Sequence, residues 1–559
     1  MRSPTGHRTP TLDDALRAFS GAASAAIARR YPDADARVAF EAPRRPDFGD
    51  FATNVAFSLA RPARKPPQEI ATLLAQDVRQ TLEIDEMFSQ IEPVAGFINL
   101  RLAPRIWQSE LETMLREAEN FGAAPPNGVR ISLEFGSANP TGPLVVVQGR
   151  SMSLGATLAN AMRLRGYDVF VEWIINDAGG QLDTFGRSLY ARYRQLFEPA
   201  FALPQNGYPG AYLIAIAQQI RQREGDRWVS APESEWLPYF AMAGRDEIVA
   251  QQKQTAHRFG VVYDRWQSER ELHEAGKVRE GLDHLSELGL TYEQDGALFF
   301  AATRFKDDKD RVVIRSDGRP TYLAMDVAYH YLKLRSSDRV VDILGPDHHG
   351  YIERLKGLAS ALGYPGRLDV LIAQQVALMR GGEQVSMSKR AGDIVTLDEI
   401  VDEVGVDAAR FFFIMPAAES PLTFDLQLAV EKNNENPVYY VQYGHARIAS
   451  VLRRALPQDV ADATGAPLDT LAHPAELALV RRLAGFPGVV AGVVENLAPH
   501  RLARYARDVA SDFHAFYTEC KILADERDRR LARLALCLAA KNVLARTLAL
   551  AGVSAPDSM

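Results

Sequence analysis

Ser137-Ala-Asn-Pro-Thr-Gly-Pro-Leu-Val-Val-Val-Gln-Gly-Arg150 decides how this chain is read. In front of it, Arg130-Ile-Ser-Leu-Glu-Phe135 is apolar enough for a buried strand; behind it, Gly149 to about Arg165 has helical spacing. Tyr167-Asp-Val-Phe-Val-Glu-Trp-Ile-Ile175 then reads as a second strand. Strand, Pro/Gly loop, helix and strand make a βαβ unit, which predicts a parallel sheet. The loop of such a unit lies at a helix N-terminus, where backbone N–H groups and the helix dipole favour phosphate.

Around this unit the chain has 559 residues, enough for three or four domains. It is 47% hydrophobic and 24% charged, the balance of a soluble globular protein. A net charge of -7 argues against indiscriminate nucleic-acid binding but leaves room for a local basic face, and Arg is clustered late in the chain. The two cysteines, Cys520 and Cys537, fit a reducing cytoplasm without a disulfide framework or a zinc cluster. Met1 to Pro10 lacks an apolar signal core, and no apolar run is expected to span a membrane.

Residues 11 to about 105 read as a first, α+β unit: a helix at Leu12–Arg30, an apolar helix ending near Ala60, a Pro-rich break at Arg61–Pro67, a helix at Gln68–Leu82 and a strand at Ala95–Leu102. Beyond the βαβ unit, roughly 185–285 is charged and helical and reads as an insertion. The sheet pattern is expected to return at Val312–Ile314, Val340–Leu344 and Leu368–Ile372. Residues 435–559 are almost wholly helical and rich in Leu, Ala and Arg.

Ordered motifs along the chain resemble those of the arginyl-tRNA synthetases, a class I aminoacyl-tRNA synthetase family. Asp47–Asn54 and Gly96-Phe-Ile-Asn99 resemble its N-terminal domain. Glu134–Asn139, Ile175–Gln181, Thr321–Asp326, Leu344–Tyr351 and Val385–Arg390 resemble its catalytic domain. Asn436–Tyr443, Pro499–Arg504 and Gly552–Pro556 resemble its anticodon-binding domain. The resemblance implies an N-terminal domain at 1–110, a Rossmann-like parallel-sheet catalytic domain at 111–430 and an all-α anticodon-binding domain at 431–559. It also implies residue roles. Arginine falls to Glu134, Asn139, Tyr322, Asp326 and Gln374, acceptors and a ring face that suit a planar guanidinium. The nucleotide falls to Gly149, Gly345, Asp347, His348, Met387 and Ser388, and catalysis to Gln148 and Lys389. Phe48, Asn54, Asn99, Tyr439, Tyr443 and Arg504 fall on tRNA. The implied partners are ATP with Mg²⁺, L-arginine or an analogue, and tRNA-Arg or arginyl-tRNA, and the implied setting is a monomer in the cytoplasm, with no membrane. The adjacent His348 and His349 read as hydrogen-bonding groups with no third ligand, so no metal site is expected.

The chain departs from the family where phosphate is handled. Val145-Val146-Val147-Gln148 stands where the family has His-x-Gly-His, and Ser386 stands at the first lysine of Lys-Met-Ser-Lys-Arg. Some members without that lysine carry a substitute before the first loop; the matching position here is Gly142. Val145 cannot donate to phosphate, and Val147 puts an isopropyl group where glycine leaves room for adenine. By β-propensity alone the three valines could instead extend a strand. Three functions therefore follow from the sequence. One is ATP-dependent attachment of arginine to tRNA-Arg. The second is a paralogue without standard adenylation that binds arginine or tRNA, or uses arginine or arginyl-tRNA in a biosynthetic or regulatory reaction. The third is a different ligase on the same fold, with ATP held in another pose.

Overall fold

The computed structural model describes residues 10–41, 43, 45, 48–81, 86–385 and 395–559. Its first helix, Leu12–Arg30, starts where Thr11 and Asp14 cap one another: the Asp14 N–H donates to Thr11 Oγ1, and the Thr11 N–H to Asp14 Oδ2 at 3.0 Å. Its small apolar face, Ala15, Phe19, Ala23 and Ala26, is buried against the helix Pro67–Arg79 and a three-stranded antiparallel sheet. That sheet has Phe97–Leu102 between Phe51–Thr53 and Phe88–Val94. The helix Val55–Ala63 runs through the start of the expected break, with Pro62 in its last turn.

A five-stranded parallel sheet holds the centre: β1 (Arg130–Phe135), β2 (Asp168–Ile175), β3 (Arg265–Ser268), β4 (Arg339–Leu344) and β5 (Leu368–Ile372), in the order β5-β4-β1-β2-β3. The chain turns in opposite directions on the two sides of β1, so a crevice opens between the carboxyl ends of β1 and β4, the usual ligand position in such sheets. Helix α1 (Val146–Leu164) follows β1. The helices α2 (Gly180–Gln195), α3 (Tyr212–Glu224) and α4 (Glu233–Arg258) enclose their own core around Phe185, Trp236 and Phe240. Helix α5 (Tyr322–Ser336) covers the sheet, and α6 (Leu397–Ile414), kinked at Gly405 (φ 80°), packs on α1.

Three expectations change here. Helix α1 starts at Val146 rather than near Gly149, so the valines open a helix instead of extending a strand; Val145 makes only an isolated bridge to Thr396. The stretch read as an insertion contains β3, a short strand of the central sheet that its polar sequence, Arg265-Trp-Gln-Ser268, disguises. Val312–Ile314 belongs to a separate antiparallel sheet formed with Thr291–Gln294 and Ala297–Phe300.

The C-terminal part is helical, with Pro437–Arg454, His500–Glu519 and Arg527–Ala551 as its longest helices. Two stretches there, Pro474–Asn496 and Arg527–Ala551, reach membrane-spanning length and apolarity, contrary to expectation. The first is two helices that meet at Gly485-Phe486-Pro487, and the second has two thirds of its apolar window buried inside the protein. Arg410 of α6 ties this part to the centre: its guanidinium donates to the carbonyls of Ala551, Phe259 and Gly260. Burial without a carboxylate partner pushes it down to about 10. Cys520 and Cys537 are free and buried, and desolvation raises both thiols.

Candidate active site

The crevice at the carboxyl ends of the strands is a cavity of about 1480 Å³. Four strand ends supply its wall: Glu134 to Gln148 after β1, Ile174 and Asn176 at β2, Ile343 to His348 at β4, and Ala373, Gln375 and Val376 after β5. Tyr322 and Asp326 of α5, Glu269, and the loop from Gln205 to Tyr212 close it.

One half is built on buried charge. Asp342, Glu134, Glu172 and Arg265 stand in register on four neighbouring strands, where parallel sheets usually carry Val or Ile. Each carboxylate is satisfied. Lys333 donates to Glu134 Oε2 at 2.9 Å and to Asp342 Oδ1 at 2.6 Å; Ser137 donates to Glu134 Oε1 at 2.9 Å; His330 Nε2 meets Asp342 Oδ2 at 2.9 Å; Arg265 pairs with Glu172. Desolvation alone would lower the Lys333 ammonium, but Asp342 and Glu134 outweigh it and hold the group charged.

Asp326 and Glu269 differ from these. Asp326 makes no side-chain hydrogen bond or ion pair among the described residues, and burial, with Glu134 nearby, pushes it up to about 6. Glu269, at the start of a short helix, is pushed up to about 7 by desolvation and then by Asp326 and Asp177. Two carboxyl groups without a bonded cation therefore face a cavity in which Glu134 and Asp342 are already held by Lys333. A guanidinium or ammonium is the complement they lack. Tyr322, 68% exposed, adds a ring face at the rim. Asn139 lines the wall; its amide donates to Gln181 Oε1 at 2.9 Å and accepts from Asn176 at 3.1 Å.

Gln374 is not in this wall. Its side-chain oxygen accepts the Gln375 N–H, its main-chain oxygen accepts from Arg150 at 2.8 Å, and Gln375 takes the cavity position. The chain leaves β5 in an irregular stretch, so strand alternation does not give the side-chain direction there. Glu269 is the residue that the sequence reading missed. It sits in the supposed insertion, and its only signal was its place just after the unrecognised strand β3.

The other half is the N-terminus of α1. Val145 occupies the N-cap and offers no oxygen; Gln148 turns back, its Oε1 accepting the Val145 N–H at 3.3 Å. Val145, Val147 and Gln148 line the cavity. Gly149 does not: a Cβ there would come 2.6 Å from Leu397 and 3.0 Å from Phe413, so its missing side chain serves the packing of α1 on α6. Gly345, Asp347 and His348 line the opposite rim, with Asp347 and His348 largely exposed and their side chains 3.6 Å apart. Ser386, Met387, Ser388 and Lys389 lie outside the described residues.

The sequence matches three family models in order. The arginyl tRNA synthetase N terminal domain matches residues 13–102, the class I (R) tRNA synthetase catalytic domain 242–414 and the DALR anticodon binding domain 441–559. An arginine--tRNA ligase of Syntrophotalea carbinolica is 44% identical over 525 residues, 93% of this chain and 94% of that protein. One from Carboxydothermus hydrogenoformans is 44% identical over 96% of this chain and 97% of its own length. The chain belongs to the arginyl-tRNA synthetase family. The Thermus thermophilus arginyl-tRNA synthetase has the same fold, with a TM-score of 0.76 over 97% of this chain and 100% of its own at 24% identity. Val145–Gln148 falls outside the three matched ranges.

The residues that the family resemblance assigns to tRNA are spread over two surfaces away from the cavity. Phe48 is partly exposed beside Arg45, and Asn54 is exposed in front of the helix Val55–Ala63. Asn99 is only 6% exposed, in the central strand of its sheet, so direct contact at that side chain is blocked. Tyr439 and Tyr443 stack with centroids 5.9 Å apart, and Arg447 packs on the Tyr443 ring at 4.6 Å. Arg504 is exposed with Arg501 and Arg507 on the helix His500–Glu519, without ion pairs among the described residues. Lys521, Arg529, Arg530 and Arg533 instead pair with Asp525, Glu526, Asp459 and Glu476.

Proposed function

We propose that this chain attaches L-arginine to tRNA-Arg at the expense of ATP. The observation that carries the reading is the pair of raised carboxyl groups, Asp326 and Glu269, neither of them bonded to a cationic side chain among the described residues, in a cavity at the switch point of a family-defining sheet. Arginine binds with its guanidinium between these two groups and Tyr322, and Asn139 and Gln375 set its orientation. Its carboxylate attacks the α-phosphate of ATP, pyrophosphate leaves, and the terminal adenosine of the tRNA accepts the arginyl group. The chain uses no covalent nucleophile: it aligns the reactants and stabilises charge.

ATP, with Mg²⁺ as its counter-ion, enters as a substrate along α1. The free N–H groups of Val146 and Val147, the Gln148 amide and Lys389 take the phosphates, and Gly345, Asp347 and His348 face the nucleoside. A neutral amide in place of two histidines predicts a slow adenylation step, because one lost donor to developing charge commonly costs about 10²–10³ in rate. Phe48, Asn54, Tyr439, Tyr443 and Arg504 contact the tRNA. We divide the chain at about 110 and 430 and take a single chain in the cytoplasm as the working unit. Purified protein tested for tRNA- and arginine-dependent ATP–pyrophosphate exchange decides the matter: exchange above background is expected, and its absence with tRNA-Arg present rejects the reading.

A further inference from the structure

The loop from Asn139 to Gly142 carries Asn139 and leads into α1, yet its path is held from outside. Three of its four carbonyls accept hydrogen bonds from side chains of the helical insertion. Gln252 Nε2, on α4, donates to Asn139 O at 3.1 Å and to Gly142 O at 3.0 Å. The Tyr212 hydroxyl, at the start of α3, donates to Thr141 O at 2.6 Å. Gln252 is 1% exposed, and its Oε1 is buried without a partner, so its amide is turned toward the loop at the expense of its own acceptor. Two glycines leave room for Tyr212. A Cβ at Gly142 would sit 3.2 Å from its oxygen, and one at Gly210 would overlap the ring at 2.1 Å. Burial raises the phenol, so it remains a donor across the working pH range.

The valine-rich N-terminus of α1 gives this arrangement a use. Val145 supplies no capping oxygen, and only the Gln148 side chain reaches back over the first turn. The Asn139 amide is held by Gln181 and Asn176, and Leu144 and Val145 by Leu397 and Thr396, but little inside the loop fixes the Asn139–Gly142 main chain between them. The insertion does: Tyr212 and Gln252 stand on helices packed around Phe185, Trp236 and Phe240. Resting on the adenylation reading above, we propose that Tyr212 and Gln252 are positioning residues for amino-acid activation. They mould the Asn139–Gly142 main chain so that arginine and the ATP phosphates meet in line. The helical insertion is thereby part of the active-site machinery.

Full-length Tyr212→Phe keeps the ring and removes one hydroxyl. Its melting temperature is expected to stay at the wild-type value. The KM for ATP and for arginine in tRNA-dependent exchange rises about tenfold, with a smaller change in kcat. Amide hydrogen exchange at 141–148 accelerates. Gln252→Glu, of equal size, loses its donors while ionised, so its defect relative to the wild type at the same pH shrinks as pH falls and the carboxyl regains a proton. Wild-type KM values and exchange rates in Tyr212→Phe overturn the proposal. So does a fall in kcat and melting temperature with unchanged KM, which is the mark of a purely structural role. If the wild type itself gives no pyrophosphate exchange, the adenylation reading fails separately. Arginine affinity by calorimetry and hydrogen exchange then decide the positioning role: Tyr212→Phe must weaken the first and accelerate the second, and wild-type values in both reject it.

Discussion

The two halves of one cavity are held together by opposite means. The amino-acid half rests on buried charges that satisfy one another: Lys333 between Glu134 and Asp342, His330 on Asp342 and Ser137 on Glu134. The N-terminus of α1 on the other side has neutral side chains and main-chain hydrogen bonds, with valine at its N-cap. A charge network resists substitution because a lost member leaves an uncompensated ion; a loop held by neutral donors tolerates change one hydrogen bond at a time. This difference is what the proposed function expects of a chain that departs from its family at Val145–Gln148 while Glu134, Asn139, Tyr322 and Asp326 line the cavity.

Substitutions can break that comparison. Lys333→Met should have the largest effect, about 3–5 kcal/mol of folding stability, because Glu134 and Asp342 would stay buried without their cation; urea unfolding measures it. A loss under about 1 kcal/mol would mean that the network does not carry the amino-acid half. Asp326→Asn should cost about 2–5 kcal/mol of arginine binding, read by calorimetry, and leave ATP binding near normal. Equal loss of both ligands would erase the distinction between the halves.

Acidity tests the same half more gently. Asp326 and Glu269, raised to about 6 and about 7, must be ionised to meet a cation. Arginine affinity should therefore climb as pH rises from about 5.5 to 8, by at most about tenfold per unit for each proton released, and level off above. A flat profile would place the guanidinium elsewhere. Glu134, Lys333, His330 and Asp177 surround the pair and move the midpoint without changing the sign.

The nucleotide half should answer with small numbers. Val147→Gly relieves an occupied position and should lower the KM for ATP by about the fivefold that corresponds to 1 kcal/mol of overpacking. Val145→His, Val147→Gly and Gln148→His together should raise the exchange rate further; no gain would show that the loop is adapted rather than impaired. Val145→Ser should be the smallest change, adding about 1 kcal/mol of stability through a proper N-cap.

Much of the fold was legible because it depends on local pattern. β1 came out at its observed bounds and α1 within three residues, since buried strands and helices carry their periodicity in the chain. β3 was missed because four polar and aromatic residues at a sheet edge have no such signal. Within the site, Glu134, Asn139, Tyr322 and Asp326 were found through their motifs and do line one cavity, whereas Gln374 gave way to Gln375 and Gly149 to helix packing. Gln374 turns on where a side chain points outside regular structure, and Gly149 on which neighbouring helix fills the space of its missing side chain; spacing leaves both open.

By itself, the sequence determined the family, the parallel-sheet centre between an α+β and a helical part, and the acceptor chemistry suited to arginine. Those follow from residue order and local periodicity. Only the tertiary structure decided which carboxylates are free. Lys333 is 199 residues from Glu134 in the chain and pairs with it, while Asp326 and Glu269 have no cationic side chain bonded to them among the described residues and are pushed upward by burial. Charge balance in a desolvated site is a property of what surrounds each group in space, and the linear order of residues does not carry it.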